Sequence, residues 1–239
     1  MRKSLVEIKK FEDLFLISIQ KFDISKKEVI DNGEYVMILI HFFTFICNVC
    51  YSSDNLKKSL GQQFSSIMDK LYKFIEIFDE TNIFHTNLFE SIISFLINIT
   101  CEISFREKMI NEKNFLKFII RLIKNKIYDT CKVKDSLERG LSLLINLSFK
   151  DDLNSFYIEE ELCLFLAENI KQNDTSINDL NKNEDKITFL IRVLMMISKL
   201  TKNEFFYFIK DKAFLKKMIS LSNNQYYNKN TIIHDNVIR

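Results

Sequence analysis

An apolar phrase recurs four times in this chain at an almost fixed interval. The phrases are FTFICNV (43–49), FLINI (95–99), LLINL (143–147) and LMMIS (194–198). Their marker residues, Asn48, Asn98, Asn146 and Ile197, stand 50, 48 and 51 residues apart. Each marker is followed twelve positions later by an aliphatic residue, Leu60, Ile110, Ile158 and Ile209. A helical unit that recurs at this spacing cannot bury its apolar face alone. It does so by stacking on its neighbours, which predicts an all-α solenoid. Composition agrees: proline is absent and only Gly33, Gly61 and Gly140 are present, so little interrupts long helices.

The second helix of each unit repeats too. Phe115 and Phe214 sit five residues after their anchors and Leu116 and Leu215 six, with Ile119 and Met218 at nine. The third unit keeps Cys163, Leu164 and Ala167 at the same offsets. Such spacing joins a short helix to a longer one, each with an apolar stripe to bury. The expected organisation is an N-terminal capping helix and connection over 1–32. About four repeats then fill 33–222, at roughly 33–80, 81–126, 133–172 and 187–222, and 223–239 is a polar tail or the start of a further repeat. Within 1–32, residues 4–22 set Leu5, Ile8, Phe11, Leu14, Phe15, Ile19 and Phe22 on one helical face, and 23–32 is polar. The polar stretch 171–186 reads as a loop.

Charge and composition narrow the function. A formal net charge of +2 provides no global field for nucleic acid. Five cysteines, an odd number, with no recognisable leader point to a reducing compartment, the cytoplasm, with the nucleus as a second address. The apolar run Val36–Cys50 is 15 residues long and interrupted by His41, Thr44 and Asn48, short of a bilayer span. A buried helix is expected, without membrane insertion. Cys47-x-x-Cys50 has no second pair, so buried cysteines are expected rather than a metal or redox site. His85 and His234 have no partner cluster nearby in sequence. The lysines, such as Lys57-Lys58 and Lys216-Lys217, are nearly matched by acids and read as a solvated face. No G-x-x-x-x-G-K-S/T, G-x-S-x-G or H-E-x-x-H signature occurs, so no enzyme, cofactor or small-molecule substrate is expected.

The layout resembles the armadillo-repeat superfamily, whose motif is L-x-N-L-S, a polar turn, and then N/R-x-x-x-I. The second unit matches best, with Phe95-Leu-Ile-Asn98-Ile-Thr100 and Arg106-Glu-Lys-Met-Ile110. The third offers Leu144-Ile-Asn146-Leu-Ser148 and Asn154-Ser-Phe-Tyr-Ile158. The first keeps Cys47-Asn48-Val49, and the fourth has Ile197 in place of Asn. The resemblance spans roughly 35–220, lacks the glycine before the final helix, and has a longer period than that family. It implies a right-handed solenoid in which the motif Asn faces a concave groove and pairs with the backbone of an extended peptide. A carboxamide suits that task because it both donates and accepts, as a peptide unit does.

By position, the groove candidates are Asn48, Asn98 and Asn146. Four-residue steps extend each into a row: Glu90, Ser94 and Asn98; Glu138, Ser142 and Asn146; and Thr44 with Asn48, where Ile40 replaces the acid. In the fourth unit the row is apolar, Phe189, Val193 and Ile197. The aromatic clamp that precedes this Asn in nuclear-signal carriers is absent. The expected ligand is thus a basic or amphipathic protein segment that pairs with Glu90 and Glu138. Two plainer readings stay open. Each Asn could simply bond the neighbouring repeat's loop. The chain could also be a structural piece of a larger assembly, packed through its apolar fourth row and open C-terminal end.

Overall fold

The computed structural model describes residues 23–127, 136–148 and 211–222, and the single positions 13, 17, 21, 156, 161, 162, 164, 165 and 168. All regular structure among these residues is α-helical. The chain divides into two compact units, Met1–Glu112 and Lys113–Arg239.

In the first unit, α1 (Lys27–Ile30) is a single turn that leads into α2 (Gly33–Ser52). Asn32 starts α2 by accepting hydrogen bonds from the amides of Glu34 (3.1 Å) and Tyr35 (3.2 Å). The helix takes in Gly33, Glu34 and Tyr35 ahead of the apolar run, and so reaches 20 residues. Its segment Gly33–Cys50 is long and apolar enough to cross a membrane by length and composition alone. Sequence reading undercounted this helix because the capping asparagine, not the first apolar residue, fixes the helix start.

Ser53 stops α2 in an extended conformation, and its hydroxyl caps α3 (Asp54–Gln62) by accepting from the Leu56 amide at 3.2 Å. Gln63 alone separates α3 from α4 (Phe64–Ile77), which buries Phe64, Ile67, Met68, Leu71 and Phe74 on one stripe. A turn follows, tied by Asp79, whose carboxylate accepts from both the amide and the hydroxyl of Thr81. These bonds hold the Asp79 carboxyl below its ordinary range. Asn82 then caps α5 (Ile83–Ile99) through the Phe84 amide at 2.9 Å. After α5 comes α6 (Ile103–Met109).

Asn32 and Asn82 are 50 residues apart, as are Asn48 and Asn98, and each first member belongs to α2 and each second to α5. Like helices also meet. The main interface of the unit lies between α2 and α5, and α3 packs on α6. At the first, the rings of Phe43 and Phe95 lie 5.7 Å apart. Leu88, Ile92, Phe95 and Ile99 make one stripe of α5 and are all buried. Full burial of a side chain of this size contributes about 1.5–3 kcal/mol, so this seam outweighs any polar contact in the unit.

The second unit opens with α7 (Lys113–Ile127) and continues with α8 (Ser136–Leu147), against which α7 packs. The two approach closely at Gly140, where a β-carbon would come within 3.3 Å of the Ile123 side chain. Farther on, Asp211 caps α9 (Lys212–Ser222) through the amides of Ala213 and Phe214. Phe115 and Phe214, equated from sequence, are each the third residue of their helix and each 1% exposed.

Candidate groove on the long helices

The helix turn of 100° per residue gives α2 three faces. Val36, Leu39, Phe43, Ile46 and Cys50 form its buried stripe. Ile40, Thr44 and Asn48 form a second row, in which Thr44 and Asn48 are exposed. On α5 the equivalent row is Glu90, Ser94 and Asn98, all half-buried. The Thr44 hydroxyl donates to the Ile40 carbonyl and the Ser94 hydroxyl to the Glu90 carbonyl, both at 2.9 Å. Each hydroxyl is folded back on its own helix, which lets a polar residue sit in an apolar helix at little cost.

Asn98 does more. Its Nδ2 donates to the Cys47 carbonyl of α2 at 3.3 Å and so ties its own row to α2, one residue before Asn48. The carbonyl fixes which end of the amide faces it, so Oδ1 is left as an acceptor toward the half-open surface. The plainer sequence reading has this Asn bond the neighbouring repeat's loop; the bond is instead to a carbonyl within the neighbouring helix. On α8 the counterparts Ser142 and Asn146 are half-buried. Glu138 lies in α8, but its side chain is outside the described residues. Phe189, Val193 and Ile197 also lie outside them, so the apolar fourth row has no structural account.

Cys47, Cys50 and Cys101 are free thiols. Cys50 is buried, and burial pushes its thiol up to about 12, which keeps it protonated and unreactive. Cys47 is half-buried and Cys101 exposed. No group of three or more metal-ligating side chains gathers among the described residues. An open apolar cleft is lined by Phe42, Phe43, Ile46, Ile67, Leu71 and Phe95, with Lys70 at its edge.

His85 has partners that sequence reading missed. Its ring is fully buried in the first turn of α5. The Asp79 amide donates to Nδ1 at 3.0 Å, so the ring proton sits on Nε2 and points at Asp31 Oδ1, also at 3.0 Å. The ring thus ties the turn before α5 to the turn before α2. Asp31 is 54 residues away in sequence, and only the stacking of two like helices brings it there. The 50-residue register of Asn32 and Asn82 was the one signal that pointed to this meeting.

No protein-family model, curated protein or solved structure matches the chain.

Proposed function

We propose that the chain is a non-catalytic scaffold, a right-handed solenoid of about four armadillo-like repeats that captures a protein segment along its long helices. The observation that carries this reading is the packing of α2 on α5, whose marker residues stand 50 apart, with Asn98 of the half-buried Glu90–Ser94–Asn98 row bonded to α2 beside the exposed Asn48. The ligand is an extended or helical segment, basic or amphipathic. Glu90 pairs its cations, and the Asn98 oxygen accepts a backbone or side-chain N–H. In the second unit, Glu138, Ser142 and Asn146 of α8 repeat these residue types and are proposed to bind in the same manner. No cofactor, small-molecule substrate or nucleic acid enters this function, and it belongs in the cytoplasm or nucleus. The buried stripe of α2 and its polar row support a place in the stack rather than in a bilayer.

Affinity capture from cell lysate with wild type beside Glu90→Lys/Glu138→Lys tests the proposal. A partner held by wild type and lost by the charge-reversed chain is the expected result. Identical partners on both baits would move the contact off these rows.

A further inference from the structure

We draw no further inference here: the strongest candidate, the apolar cleft walled by Phe42 and Phe43 of α2, Ile67 and Leu71 of α4 and Phe95 of α5, with Lys70 at its edge, carries none because nothing in the structure shows what covers it.

Discussion

Asn98 serves the fold through one half of its amide, and the proposed groove assigns the other half to a ligand. Its nitrogen holds the Cys47 carbonyl, while its oxygen has no hydrogen bond from the described residues. Asn98→Ala is expected to cost about 1 kcal/mol in urea unfolding, the usual net worth of such a bond, because the Cys47 carbonyl lies within a helix. His85 is more exposed to loss. His85→Phe keeps the bulk but strands the Asp79 amide and frees the half-exposed Asp31 carboxylate to water, and is expected to cost on the order of 1–2 kcal/mol. The cysteines separate by burial: a thiol reagent at pH 8 should label Cys101 at once and Cys50 only as the chain unfolds. The sign of the linkage follows from the raised Cys50 value. Its contribution is fully present below the unfolded thiol's ordinary value near 9.0 and is lost as pH rises from there toward about 12. Urea midpoints across that alkaline range check it against Cys50→Ala. The sequence offered a bond from the Asn to the neighbouring repeat but not its acceptor, because a backbone carbonyl or amide carries no residue signature, and Asp31 meets His85 only through stacking.

At the level of elements, equivalent residues on α2 and α5 make unequal contributions, and the inequality is measurable. Leu88→Ala should cost about 3 kcal/mol through the cavity it leaves. Ile38→Ala, at the exposed residue 50 positions before it, should stay within about 0.5 kcal/mol. The capping residues should behave alike instead. Asn32→Ala and Asn82→Ala are each expected to lose about 1 kcal/mol, read from thermal or urea melts. Much of this level was legible beforehand. The apolar period located the helices that carry Asn48, Asn98 and Asn146, and the paired Phe115 and Phe214 fall at the same place in α7 and α9. The break at Gln63 was not legible, since it rests on a single residue of local conformation without a proline or glycine to announce it. Nor was the full length of α2, where Asn32 and not hydrophobicity sets the boundary.

For the molecule as a whole, the helical class follows from the spacing and from the absence of helix breakers. The two like-on-like contacts, α2 with α5 and α3 with α6, extend that spacing into three dimensions within the first unit. Within the first unit the proposed strip uses the same register, so that α2 and α5 each contribute one row to the surface offered to a ligand. Its chemistry was legible as residue types, Glu, Ser and Asn in four-residue steps, but which atoms remain available was not. That depends on the bond between Asn98 and α2.

The most direct test of the groove is a titration of wild type and Asn98→Ala with a basic peptide selected from a random library on the wild-type chain, followed by fluorescence anisotropy. The account predicts that Asn98→Ala binds at least about tenfold more weakly while its melting temperature falls by only a few degrees, as a loss near 1 kcal/mol implies. Equal binding by the two chains would contradict it, and would leave Asn98 as a staple between α2 and α5 alone.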